Sequence, residues 1–164
     1  MVRRDGPGAL TLEAVAAEAG LSKGGLLYHF PTKDDLLDAF LEDWVDRFER
    51  DIQAGVSEEG WAGAYVSACA LDDPGAKGRA TDVAILATLA GDPRRLAILR
   101  RRYADWQEQL VSASPDPVEA TILRLAGDGL WFAELLGLAP PAGELRDQVL
   151  ARLGERAREG SPPK

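Results

Sequence analysis

Residues 12–33, LEAVAAEAGLSKGGLLYHFPTK, constrain this chain more than any other stretch, because two short amphipathic segments meet there at a glycine. Leu12, Val15, Ala16 and Ala19 recur at helical spacing behind Thr11, whose hydroxyl is suited to cap a helix N-terminus. Gly20 offers the positive φ that ends a helix, Leu21 is an apolar plug, and Ser22 caps the next segment, which turns Leu26 and Phe30 inward. A C-cap, a plug and a new N-cap within three residues turn one helix sharply across another. The stretch therefore predicts a helix-turn-helix, with helices over 12–19 and 23–29.

A longer helix extends this head. Pro31 stops the second helix, and Thr32 caps a third whose first turn holds Lys33, Asp34 and Asp35. Leu36, Leu37, Phe40, Leu41, Trp44, Val45, Phe48 and Ile52 form one apolar stripe, with Asp38, Glu42, Asp43, Asp46, Glu49 and Arg50 on the wet side. Such a helix is about 30 Å long, enough to join a small head to a larger body. A loop is expected over 54–59, then a helix carrying Trp61, Tyr65, Cys69 and Leu71, broken by Asp72-Asp73-Pro74-Gly75. A segment over 79–89 comes next. Asp92-Pro93 and Asp116-Pro117 each supply an N-cap and a first-turn proline for further helices, the first ending near Ala113 and the second before Gly137. A last helix covers 144–158, leaving 160–164 as a frayed tail. No segment alternates apolar and polar residues between hairpin turns, so the expected fold is all-α, with a head over 1–45 and a helical body over 46–164.

The composition narrows the function classes. A 164-residue chain with 46% hydrophobic and 28% charged residues is that of a globular protein with room for one or two cores. The start, MVRRDGPGAL, has no apolar leader, and no later run reaches the roughly 18 apolar residues of a membrane span, so a cytoplasmic location with no membrane partner is expected. Cys69 and His29 are the single cysteine and histidine, which excludes a disulfide framework and gives no basis for a metal site, a cofactor or a nucleophile–base–orienter set. No enzyme is expected. The net charge of −8 opposes nucleic-acid binding only on average. Up to Lys33, Arg3, Arg4, Lys23 and Lys33 face Asp5, Glu13 and Glu18, a balance of +1, so the acid lies elsewhere.

TLEAVAAEAGLSKGGLLYHFPTKDDLLDAF resembles the DNA-binding end of the tetracycline-repressor family of bacterial transcriptional regulators. The likeness covers about a quarter of the chain, through the glycine turn, the serine cap, YHF and the acidic Thr-Lys segment after it. It implies that the second helix enters the major groove of an operator. Lys23, Gly24 and Gly25 would lie near base edges, and Thr11, Ser22, Tyr28, His29 and Lys33 near phosphates. Lysine, hydroxyl and phenol groups can all donate to phosphate oxygens, and lysine also to guanine. Thr11 and Ser22 are helix caps with or without DNA, and Lys23 and Lys33 also read as solvated residues. In the commonest form of the motif the tyrosine stands one place earlier, where this chain has Leu27. Family members also carry an amphipathic helix before the position of Thr11, and MVRRDGPGAL looks like the loop after it. A shortened chain is therefore expected, binding DNA weakly where a lengthened form binds normally.

The resemblance also implies a variable helical body that binds a small ligand and dimerises through its last two helices, and AGDGLWFAELLGLAPP looks like one of its segments. Trp61, Tyr65, Trp106, Trp131 and Phe132, with Asp128 or Cys69 as polar element, read either as a ligand pocket or as plain core. Leu123, Ala126, Leu130, Leu145, Val149 and Leu153 read either as homodimer rows or as core. The leading expectation is a repressor released from a palindromic operator when a ligand displaces the helix of Phe40 and Trp44. The alternative is a helical ligand-binding, dimerising protein that has lost DNA binding.

Overall fold

The computed structural model describes residues 11–70 and 92–160. The chain start, the segment expected over 79–89, the 72–75 breaker and the tail past 160 lie outside them. Among the described residues every regular element is an α-helix: α1 (Leu12–Glu18), α2 (Lys23–His29), α3 (Lys33–Cys69), α4 (Pro93–Ala113), α5 (Pro117–Leu136) and α6 (Glu144–Glu159).

Local capping starts almost every helix. Thr11 Oγ1 accepts from the Ala14 amide at 3.2 Å, Ser22 Oγ from Gly25 at 3.0 Å and Thr32 Oγ1 from Asp35 at 3.1 Å. Asp35 Oδ2 in turn accepts from the Thr32 amide at 2.9 Å, which completes a capping box. Asp92 and Asp116 cap α4 and α5 ahead of their prolines. Gly20, at φ 68°, makes the turn between α1 and α2. Leu21 departs from expectation: it lies exposed at the turn, whereas Ala16 and Leu26 on either side of it in the chain are buried.

The loop expected over 54–59 is instead helical. The stretch has no proline, Val56 packs on the body core, and the axis breaks only at Gly60, at φ 69° and ψ 174°. A residue with that backbone ends one helical segment and starts the next, so α3 is two helical segments meeting at a kink, and glycine adopts it without strain.

Two cores result. In the head, Ala16, Leu26 and Leu37 are buried. In the body, Leu41, Trp44, Val45, Ile52, Tyr65, Trp106 and Leu110 belong to one cluster, joined by stacked and edge-on rings of Trp44, Phe48, Tyr65, Tyr103 and Trp106. A second cluster of Val66, Leu123, Leu153 and Ala157 seats α6. Leu123, Leu130 and Leu153 are thus interior residues, with Ala126 and Val149 packed against the second cluster; of the rows offered for a dimer, Leu145 alone is well exposed. α5 instead turns Val118, Ile122, Leu125, Phe132 and Leu136 to solvent.

Candidate nucleic-acid interface and the body behind it

α2 buries only Leu26 and leaves most of its surface uncovered. Ser22, Lys23, Gly24, Gly25, Tyr28 and His29 are all exposed, Tyr28 by 84%, and Thr11 and Lys33 flank them at the starts of α1 and α3. The eight residues singled out in the sequence therefore all reach solvent. Tyr28 stands one place past the usual position of the motif tyrosine and still projects outward, its ring edge-on to His29 at 5.2 Å, whereas Leu27 is half-buried.

The two glycines differ. A Cβ on Gly25 would stand 3.2 Å from Ser22 Oγ, so the cap itself explains that glycine. A Cβ on Gly24 would meet nothing, and internal packing supplies no reason for its absence; a bare backbone there admits a close neighbour from outside. Lys23 Nζ lies 2.6 Å from Glu13 on α1, an exposed pair that holds the Glu13 carboxyl below its ordinary range through the lysine hydrogen bond. Such a pair exchanges readily for a phosphate or a base acceptor, because exposed ion pairs contribute little.

Where head meets body, Arg95 of α4 is 4% exposed and lies against the first two turns of α3. Its Nη2 donates to Asp34 Oδ1 at 2.8 Å and to the Asp34 carbonyl at 3.2 Å, and its Nε donates to Asp38 Oδ1 at 2.5 Å. Asp92 Oδ2 is 3.6 Å from Nη1. Burial opposes the guanidinium charge, but the bonds to Asp34 and Asp38 outweigh it and raise the pKa further. Sequence reading assigned Asp38 to the wet side and passed over Arg95. The available signal was the i, i+4 spacing of Asp34 and Asp38.

Of the seven body residues singled out, Tyr65, Cys69 and Asp128 meet in the interior. Tyr65 donates to Asp128 Oδ1 at 2.8 Å and Arg124 Nη1 to Asp128 Oδ2 at 2.7 Å, while Tyr103 lies at 3.4 Å. Burial pushes the Asp128 carboxyl up despite these partners, and pushes the Tyr65 and Tyr103 phenols and the Cys69 thiol well above their ordinary values. Gly127 lets α5 approach α3 here, since a Cβ would stand 3.2 Å from Cys69 Sγ. Trp61 and Trp106 line a separate cavity of about 380 Å³ between α3 and α4, with Glu49, Arg102, Asp105 and Glu108 around them. Glu49, also expected on the wet side, accepts from the Trp106 indole at 3.1 Å. Trp131 packs 6.0 Å from Trp44, whereas Phe132 is 43% exposed on the outer side of α5. The seven residues thus divide between an interior polar cluster, a cavity wall, the core and the surface. Among the described residues no group of His, Cys, Asp and Glu is arranged to hold a metal, and no helix is long and apolar enough to cross a membrane.

An exposed seven-residue helix on a helix-turn-helix, joined through α3 to an aromatic helical body, has the architecture of a DNA-binding regulator. Residues 59–158 match the family described as "Tetracyclin repressor-like, C-terminal domain", and residues 2–40 match "Bacterial regulatory proteins, tetR family". The chain belongs to the tetracycline-repressor family of transcriptional regulators. Its fold is similar to the crystal structure of a transcriptional regulator from Rhodococcus sp. Rha1, with TM-score 0.66 and 20% identity, over 97% of this chain and 89% of that one. No curated protein matches the chain by sequence.

Proposed function

We propose that the chain is a repressor that binds a palindromic operator as a homodimer and leaves it when a small molecule binds the body. The observation that carries this reading is the exposure of Lys23, Gly24, Tyr28 and His29 on α2, the second helix of the helix-turn-helix. Lys23, Gly24 and Gly25 approach base edges, and Thr11, Ser22, Tyr28, His29 and Lys33 approach phosphates. Residues 1–45 act as the reading head and 46–164 as the effector body, in the cytoplasm, with Leu41, Trp44 and Val45 at the end of the head seated in the body cluster. The match of the family's N-terminal region to residues 2–40 disfavours the alternative of a helical body without DNA binding.

Two recognition helices reach successive major grooves only about 34 Å apart, which requires two copies. The apolar row Val118, Ile122, Leu125, Phe132 and Leu136 on α5, with Leu145 on α6, supports pairing through the last two helices, since large apolar residues along one exposed face favour association. The ligand enters the body at the cavity walled by Trp61 and Trp106, whose ring lies 6.3 Å from that of Tyr65. It shifts the α3 segment of Phe40 and Trp44, and so the spacing of the two heads.

The test is selection of duplexes from genomic DNA by the purified chain, followed by gel shift on the enriched sequence. A palindromic sequence should emerge, and Lys23→Ala and Tyr28→Ala should each weaken binding at least several-fold. Enrichment of no sequence over random DNA would overturn the reading.

A further inference from the structure

We infer that Arg95 is a positioning residue for DNA recognition: a guanidinium carried on a body helix that sets the orientation of the head. The inference rests on the DNA-binding reading above and adds how the body holds the head in register.

The boundary between the two cores falls within one turn of α3. Leu37 is buried but lies outside the body cluster, whose first α3 residue is Leu41. Asp34 lies one turn before that boundary and Asp38 within it, and Arg95 of α4 grips both. Carboxylates at i and i+4 lie on one face, so a planar fork that satisfies both fixes rotation of α3 about its axis as well as its distance from α4. Only Phe30, Pro31 and Thr32 separate the end of α2 from the start of α3, so a rotation there moves the recognition helix.

Asymmetric burial makes the clamp testable. Arg95 is 5% exposed at the side chain, whereas Asp34 is 66% and Asp38 48% exposed. Removing the arginine leaves two carboxylates that water can solvate, and Arg95→Met should fold. Removing the carboxylates leaves a buried cation, the costlier defect. Arg95→Lys keeps the charge but loses the fork, and should fall between wild type and Arg95→Met.

The experiment uses the full chain and the duplex enriched by the wild-type protein. If loss of the clamp reduces the DNA-competent fraction to about one tenth, Arg95→Met binds about tenfold more weakly. Asp38→Asn provides a comparison of sign. By charge alone it should strengthen DNA binding, as should Glu42→Gln, which removes an exposed carboxylate one turn further along. The clamp requires Asp38→Asn to weaken binding while Glu42→Gln does not. Hydrogen exchange supplies a readout without DNA: Arg95→Met should accelerate exchange in α1, α2 and the first turns of α3, leaving α5 and α6 protected.

Unchanged DNA affinity and unchanged head exchange in Arg95→Met would overturn the inference, as would Asp38→Asn behaving like Glu42→Gln. Uniformly faster exchange across all helices would make Arg95 a plain stability residue and also overturn it. Were Arg95→Met not to fold, the contrast between Asp38→Asn and Glu42→Gln decides alone. Failure of the wild-type chain to enrich any duplex would count against the DNA-binding reading, while the exchange pattern would still judge the clamp.

Discussion

Head and body are held together by different means. The head consists of two seven-residue helices and the start of α3, and it buries Ala16, Leu26 and Leu37. Helices that short do not persist alone in water. Side-chain caps at Thr11, Ser22 and Thr32 offset part of that deficit. The body buries large rings instead: Tyr65 and Trp106 are enclosed, with Phe48 edge-on to one and tilted on the other. Its polar groups are drawn inside and paired, as in Glu134, 2% exposed and bound to Arg146, and Asp128 among Tyr65 and Arg124. A reading surface must keep its donors in water, and a head so constrained cannot gain stability by burial. The difference teaches that the head depends on local capping and on its attachment to the body.

The comparison is broken most directly at the body core. Trp106→Ala removes an enclosed ring and the indole bond to Glu49, and should cost about 3–5 kcal/mol by urea denaturation. Leu26→Ala should cost about 2–5 kcal/mol within the head. In that variant hydrogen exchange in α1 and α2 should accelerate while the tryptophan fluorescence transition, which reports the body cluster, stays near wild type. A single coincident loss in both regions would show one cooperative unit. Ser22→Ala should destabilise α2 by about 1 kcal/mol, read as faster exchange at Gly25, whose amide is the cap donor.

The smallest effect is a pH dependence confined to the body. Burial raises the folded-state pKa of Asp128 above 3.8, so the folded state holds its proton to higher pH than the unfolded chain does. Stability from this group is present at low pH and is lost as pH rises through the interval between the ordinary and the raised value. Asp128→Asn should flatten that fall. An unchanged slope of stability against pH would show that Asp128 is as well solvated as a surface acid.

Much of this architecture is legible in the chain because capping acts over three or four residues. Thr11, Ser22, Thr32, Asp92 and Asp116 each begin a helix as their side chains suggest. The exposure of α2 is legible too, since Leu26 turns inward and leaves Tyr28 and His29 outside. The outward face of α5 is not. VEATILRLAGDGLWFAELL is apolar on more than one side, so helical period alone cannot choose between Leu123 and Ile122, and packing against α3 and α6 decides. The place of the break in α3 was hidden because Gly55 and Gly60 both suggest one, and only Gly60 takes a positive φ.

The sequence by itself determined the helix starts, the turn at Gly20 and the residues that face outward on α2, because each depends on neighbours within about one turn. Tertiary structure alone decided which charges go inside. Arg95 stands among Arg94, Arg100, Arg101 and Arg102 in a stretch that reads as solvated, and it is buried because α4 carries it to Asp34 and Asp38, 61 and 57 residues away. Asp128 meets Tyr65 across 63 residues. Burial of a charge is permitted only where a partner is delivered, and that delivery is a property of the assembled fold.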